Sequence, residues 1–301
     1  MTSPLILNNL TKYYGSVRGI DDLNLEVRQG EIFGFLGPNG AGKSTTISTI
    51  LDFIRPTRGT ATVLGLDSRQ DSTTIHRQVG YLPGELAMYE KMTGRELLGY
   101  LAALRGVEAT SDIALLAERF DLDLDRKIRT YSSGNKQKVG LVQAFMHRPQ
   151  LLILDEPTNG LDPIVQQEFY ALLREVSGEG RTVFLSSHIL PEVERITDRA
   201  AIIRHGKLMV VAEIEQLKQQ AQRQLEITFT SVIEPNVFEE LSTVKQARAS
   251  SDGRTLAVSV AGSVDPVIKV AARYEVESVV SHDGDLESAF LAYYSENDDV
   301  A

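Results

Sequence analysis

The 301-residue chain carries 41 acidic and 31 basic residues, and its formal net charge of −10 argues against broad, sequence-independent binding of nucleic acid. It contains no cysteine, which excludes disulfides, cysteine-ligated zinc and iron–sulfur clusters. No segment approaches the roughly 18 apolar residues of a membrane-spanning helix, and Met1–Asn9 lacks the pattern of a secretory signal. We therefore expect no direct membrane span, so that any work at a membrane would need a partner that crosses it.

Short apolar runs alternate with helical periodicity over most of the chain, and its length suits one large domain plus a smaller appendage. Buried strands are predicted at Glu31–Leu36, Leu151–Leu154, Thr182–Ser186 and Ala200–Arg204. Helices are predicted at Lys43–Ile54, Gly94–Arg105, Ser111–Arg119, Ser133–His147 and Pro163–Val176. The alternation predicts a doubly wound α/β domain over residues 1–217. Consecutive helices at about residues 86–148 predict a helical subdomain inserted into it.

The character of the sequence changes near the polar stretch Gln216–Gln224, which predicts a linker or the end of a helix. Beyond it, apolar and polar residues alternate in two runs, Leu225, Ile227, Phe229 and then Leu256, Val258, Val260. Asp252-Gly253, just before the second run, is typical of a hairpin turn. Residues 218–301 are therefore predicted to form a small C-terminal α+β domain.

A glycine-rich loop follows the first predicted strand and opens the first predicted helix. It consists of Gly37, Pro38, Asn39, Gly40, Ala41, Gly42, Lys43, Ser44 and Thr45, the pattern of a phosphate-binding loop. Glycines let backbone N–H groups close around phosphate oxygens, and the helix N-terminus adds positive potential. Lys43 is expected to reach the β- and γ-phosphates of a nucleotide, and Ser44 to ligate Mg²⁺.

Two acids end the apolar strand that begins at Leu151. Asp155 lies where this buried strand emerges and is expected to face Mg²⁺ through water. Glu156 follows directly and can polarise a water toward the γ-phosphate as a general base. The alternative is a pair of solvated acids at a strand end, which the preceding phosphate loop makes less attractive.

The third motif is Tyr131-Ser132-Ser133-Gly134-Asn135, at the start of a predicted helix. Locally, Ser132 is a helix cap, while Ser and Gly at a helix N-terminus also offer an anion site. Together with the two motifs above, this motif resembles those of the ATP-binding cassette (ABC) ATPases, in which the signature at the corresponding place is Leu-Ser-Gly-Gly-Gln. This resemblance covers about residues 1–217 and implies a P-loop NTPase core of the ABC type, ATP hydrolysis, and an ATP site completed by Ser132, Ser133, Gly134 and Asn135.

Further positions match the family in order along the chain. Asn159-Gly-Leu-Asp162 resembles the loop that links the two nucleotide sites of a dimer, and His188 resembles the histidine that contacts the γ-phosphate. Tyr14 resembles the aromatic that stacks on adenine, with Tyr13 as a rival for this role. Head-to-tail homodimerisation, with ATP between Lys43 of one copy and Ser132 of the other, is implied by the resemblance.

One position departs from the family. A Gln that contacts Mg²⁺ and the attacking water usually follows the strand that here reads Val79-Gly-Tyr-Leu-Pro83, but Gly84 and then Glu85 stand in its place. Either Glu85 substitutes as a catalytic residue or the contact is missing. Gln78 is a third candidate, although it precedes the strand.

The C-terminal stretch Asp285–Tyr294 resembles the ending of ATPases in the drug-exporter branch, whose permease is a separate chain. It also has the spacing of an amphipathic helix that packs on the appendage. The resemblance implies an exporter motor that is cytoplasmic and peripheral on the cytoplasmic face of the cell membrane. The motor of an importer and a soluble ABC ATPase remain the alternatives, and the transported substrate is left open.

Overall fold

The computed structural model describes residues 3–220 and 223–282, and the chain divides into two compact units between Val211 and Ala212. The assignment of residues 1–217 and 218–301 as two domains stays a prediction. The predicted helix at Asp285–Tyr294 lies outside the described residues. Among the described residues, no helix combines the length and the apolar character needed to cross a bilayer.

An antiparallel sheet opens the first unit, in the order β2-β1-β4-β5. Its strands are β1 (Leu5–Tyr14), β2 (Val17–Val27), β4 (Arg58–Val63) and β5 (Leu66–Asp67). Leu5, Leu7, Leu23 and Leu25 alternate with more exposed residues and are buried. The predicted strands did not include this sheet, whose register shifts along β1 obscure a regular period of two.

A six-stranded sheet forms the centre of the first unit, in the order β10-β9-β3-β8-β7-β6. Its strands are β3 (Ile32–Leu36), β6 (Val79–Leu82), β7 (Leu151–Asp155), β8 (Thr182–Ser187), β9 (Arg199–Arg204) and β10 (Lys207–Glu213). Strand β3 pairs in parallel with β8 and β9, and β7 pairs in parallel with β6 and β8. The carboxyl ends of β3, β7 and β8 therefore meet at one edge, where ligands bind in open α/β sheets.

Helices connect these strands, as the sequence pattern predicts. They are α1 (Lys43–Ile50), α2 (Ser72–Gln78), α3 (Gly94–Arg105), α4 (Thr110–Arg119), α5 (Ser133–Phe145), α6 (Pro163–Gly178) and α7 (Leu190–Ile196). Helices α3, α4 and α5 lie between β6 and β7, which confirms a mixed α/β fold with helices inserted into the sheet domain. Helix α1 ends four residues before the predicted Ile54, because Asp52 adopts a left-handed conformation with φ 54°.

The second unit begins with the end of β10 and helix α8 (Ile214–Gln220), and then forms its own sheet. Its further elements are β11 (Arg223–Phe229), α9 (Asn236–Glu239), β12 (Val244–Ala249), β13 (Thr255–Val260), α10 (Asp265–Ala271) and β14 (Val276–His282). The antiparallel order β12-β13-β11-β14 and the β-α-β-β-α-β sequence are those of a ferredoxin-like unit. The two predicted alternating runs supply its buried core, and Asp252-Gly253 lies in the hairpin turn as predicted.

Candidate active site

The phosphate-binding loop joins the end of β3 to the start of α1. Gly42 has φ 111°, a conformation that L side chains rarely adopt, so only glycine fits here without strain. Lys43 is buried, and its Nζ donates to the carbonyl oxygens of Gly37 at 2.7 Å and of Pro38 at 3.3 Å. The ammonium group is thus held over its own loop, at the amino end of α1 where an anion is favoured.

Asp155, at the end of β7, faces the loop. Its Oδ2 accepts a hydrogen bond from Ser44 Oγ at 2.8 Å, and its Oδ1 accepts one from Ser186 Oγ on β8. A hydroxyl and a carboxylate are the hard oxygen ligands that Mg²⁺ prefers, so the pair fits this ion. Among the described residues there is no cluster of three or more His, Cys, Asp or Glu able to hold a metal.

Glu156 follows Asp155 in a left-handed conformation, with φ 50°. Its backbone N–H donates to the Ser186 carbonyl at 3.2 Å and to Ser186 Oγ at 3.3 Å. Its carboxylate lies between two groups, with Oε1 at 3.2 Å from Lys43 Nζ and Oε2 at 2.8 Å from His188 Nδ1. The strained backbone directs this side chain across the mouth of the loop instead of along the strand.

A cavity of about 370 Å³ lies in front of the loop. It is lined by Tyr14, Val17, Arg18, Gly19, Pro38, Asn39, Gly40, Gly42, Lys43, Ser44, Thr45 and Glu156. Tyr14 is 49% exposed and contributes its ring to this wall, whereas Tyr13 is not among the lining residues. Val17 and Arg18, at the start of β2, were missed by sequence reasoning, although they follow the Tyr-Tyr-Gly turn directly.

The signature residues lie apart from this cavity in the same chain. Ser132 caps α5, its Oγ accepting from the Asn135 N–H at 3.2 Å, and Ser132 and Ser133 are exposed. Gly134 packs on the next loop so closely that a Cβ would lie 2.5 Å from the Gly160 carbonyl oxygen. Ser132, Ser133, Gly134 and Asn135 are not among the residues that line the cavity around Lys43.

Asp162 also acts as a helix cap. Its Oδ1 accepts from the backbone N–H groups of Ile164 at 3.1 Å and Val165 at 3.0 Å, at the start of α6. The Val165 N–H in particular holds the pKa of Asp162 below its usual range. The side chain is therefore oriented by its own helix.

Glu85 is exposed and does not line the cavity. The backbone just before it is the part of this loop that approaches the site, because a Cβ on Gly84 would lie 3.2 Å from Asp155 Oδ2. Tyr81, earlier on the same stretch, is half-buried, and burial together with the Asp155 charge raises its pKa to about 12. The catalytic role of Glu85 stays a prediction.

Two residues that sequence reasoning missed contact the acidic pair. Ser186 bridges Asp155 and the Glu156 N–H, as described above. Gln137, buried on α5, donates from Nε2 to the carbonyl oxygens of Pro157 at 2.9 Å and Glu156 at 3.4 Å. Both contacts join segments distant in sequence. Gln137 directly follows the signature motif, but that pattern does not indicate its contact with the segment after β7.

Comparisons with known proteins bear on the family and the fold of this chain. A sequence profile described as ABC transporter matches residues 20–159. The bacitracin transport ATP-binding protein of Bacillus licheniformis is 39% identical over 229 residues, which cover 75% of each chain. A solved structure described as the ATP-binding subunit of an ABC transporter has a TM-score of 0.68 and 32% identity, covering 73% of this chain and 93% of that one. A dimeric bacterial ABC transporter cassette shares the fold, with a TM-score of 0.65 and 22% identity over 70% of this chain and 98% of that one.

Proposed function

The chain belongs to the ABC transporter family as an ATP-binding subunit, and from that membership we propose that it is the ATP-hydrolysing motor of an exporter. The observation that carries the hydrolysis is the position of Glu156, whose carboxylate lies between Lys43 and His188 at the mouth of the phosphate loop. A general base must be within hydrogen-bond reach of the water that it activates. This carboxylate borders the cavity where the γ-phosphate would bind.

Lys43 changes partners when a nucleotide binds. Its ammonium exchanges the Glu156 carboxylate and the loop carbonyls for phosphate oxygens, which carry more charge. One side of the Glu156 carboxylate is then free to accept a proton from the attacking water. His188 keeps its hydrogen bond to the other oxygen and so fixes the carboxylate's direction.

Ser44 and Asp155 would hold Mg²⁺. When bound, the ion would offset the negative charge of the phosphates during their transfer to water. Ser186 would hold the Asp155 carboxylate in place from the other side.

We propose a dimer because the signature residues do not line the ATP cavity of their own chain. The amino end of α5, with Ser132, Ser133, Gly134 and Asn135, is an anion site that does not face the chain's own cavity. In a head-to-tail homodimer it would meet the γ-phosphate held by the other copy, and a two-fold axis would make two equivalent sites. A dimeric cassette with this fold supports the proposal.

Transport is supported by the resemblance to the bacitracin transport protein, whose match covers three quarters of this chain. Export is proposed from the sequence of Asp285–Tyr294, which resembles the ending of drug-exporter ATPases. We propose a separate membrane-spanning permease as the partner, which would hold this subunit on the cytoplasmic face of the membrane. The cargo contacts would lie in that permease.

The proposal is tested by co-purifying the chain with the membrane protein encoded beside it and reconstituting both in vesicles. We expect ATP outside the vesicles to drive cargo movement away from the side that carries this subunit, and cargo to stimulate hydrolysis. Lys43→Ala is the control that should abolish both. Movement toward the subunit's side would indicate an importer motor, and the absence of any membrane partner would indicate a soluble ABC ATPase.

A further inference from the structure

The segment after β7 is held from two directions. On its amino side, Ser186 accepts the Glu156 N–H. On its carboxyl side, Gln137 from α5 donates to the carbonyl oxygens of Glu156 and Pro157. Pro157 is buried, and a buried carbonyl group needs a hydrogen-bond donor.

The contact from α5 connects the start of this helix with the segment that follows β7. The helix begins at Ser133, after its cap Ser132, at the anion site proposed for the second copy's ATP, and Gln137 lies one turn further along. At the helix start, Gly134 packs against Gly160 of the same loop. The first two turns of α5 therefore contact residues 156–160 at both ends of this segment.

The hydrogen bonds from Gln137 matter because Glu156 has a left-handed backbone conformation. Such a conformation is disfavoured for a side chain larger than glycine and persists only where the surroundings enforce it. Without the donor from Gln137, the peptide after Glu156 could rotate and swing the carboxylate away from His188 and Lys43. A displacement of about 1 Å at a catalytic group can cost roughly 100-fold in rate.

We propose that Gln137 is a positioning residue for hydrolysis, which ties the signature helix of each copy to that copy's own general base, Glu156. The proposal rests on the hydrolytic function proposed above. It implies that the helix that would bind the partner's ATP also fixes the carboxylate at its own ATP, so that the two sites of a dimer are mechanically connected.

The test uses Gln137→Met, which keeps the side-chain volume and removes the donor. We expect kcat for ATP hydrolysis to fall about 10- to 100-fold while KM for ATP stays within about twofold, since the binding loop is untouched. Lys138→Met is the matched control, because Lys138 is buried on the same helix and donates to the Asp121 carbonyl at 3.3 Å instead. Its kcat should stay near that of the parent.

A second variant keeps the test informative if Gln137→Met is poorly stable. In Gln137→Glu, burial raises the pKa of the new carboxyl group, and its protonated form can donate to Pro157 in place of the amide. The ratio of its kcat to that of the parent should therefore rise as pH falls from about 8 to about 6. A parent-like kcat in Gln137→Met, or a low ratio that does not change with pH, would overturn the positioning role. Failure of the parent and Lys138→Met to hydrolyse ATP would instead refute the proposed function.

Discussion

Replacing Ser186 by Ala isolates one hydrogen bond to the proposed magnesium ligand. Ser186 and Asp155 are 0% and 4% exposed, and the bond from Ser186 Oγ to Asp155 Oδ1 is therefore shielded from water. A hydrogen bond to a charged group contributes about 1.5–3 kcal/mol. The Glu156 N–H keeps the Ser186 backbone carbonyl in the variant, so the loss falls mainly on Asp155.

The lost hydrogen bond should appear as a weaker effect of Mg²⁺ on the affinity of the variant for ADP. Since a factor of ten corresponds to about 1.4 kcal/mol, the lost bond predicts that the gain in ADP affinity from Mg²⁺ falls by roughly 10- to 150-fold. Groups that orient a metal ligand commonly have effects of this size when they are removed. ADP affinity without the ion should be unchanged, because Ser186 is not among the residues that line the cavity in front of the phosphate loop.

Isothermal titration with ADP, in Mg²⁺ and in EDTA, measures the difference directly. Ser187→Ala is the matched control: Ser187 is the next residue, equally buried, and its Oγ donates to Glu192 at 3.2 Å instead of to Asp155. The same Mg²⁺-dependent gain in Ser186→Ala and in the parent would refute the assignment of Asp155 and its support.

Three further perturbations follow, two in the candidate site and one at a partly buried histidine outside it. Tyr14→Ala should weaken ATP binding about 5- to 150-fold, from a stacking contribution of about 1–3 kcal/mol, and Tyr13→Ala should leave it nearly unchanged; the reverse order in an equilibrium titration would move the role to Tyr13. Glu85→Ala should lower turnover more than ATP affinity, and Glu85→Gln less so, whereas parental rates with and without permease would remove Glu85 from catalysis. Burial lowers the pKa of His147 from 6.5 to about 4. Below pH 6.5 this histidine binds a proton in the unfolded chain but not in the folded chain, so the free energy of unfolding should fall as the pH is lowered toward 4. Denaturant titrations at several pH values measure this fall, which should be smaller in His147→Asn. An equally steep fall in the variant would contradict the prediction.

The local part of the site could be predicted from the sequence because its signals are local. The phosphate loop needs glycines between a strand and a helix, and the acids at 155 and 156 end an uninterrupted apolar strand. The structure places both at one edge of a parallel sheet, as that strand–helix alternation indicates.

The contacts that orient these groups could not be predicted. Ser186 reaches Asp155 across 31 residues of sequence, and Gln137 reaches Pro157 across 20. Both depend on which strand lies beside β7 and on how α5 packs, which no residue pattern near them encodes. Register shifts in β1, including one between Lys12 and Tyr13, interrupt the regular alternation of the strand. The sequence alone therefore could not decide whether Tyr13 or Tyr14 is the aromatic residue of the cavity.

Glu156 is the proposed general base, and ATP hydrolysis by this chain depends on it most directly. Glu156→Gln keeps the size of the side chain and removes its basicity, so ATP should still bind while hydrolysis falls roughly 10²- to 10⁴-fold. Single-turnover hydrolysis, followed together with gel filtration, measures both properties. We predict a slow variant that elutes as an ATP-bound dimer, whereas hydrolysis at the parental rate would contradict the central claim.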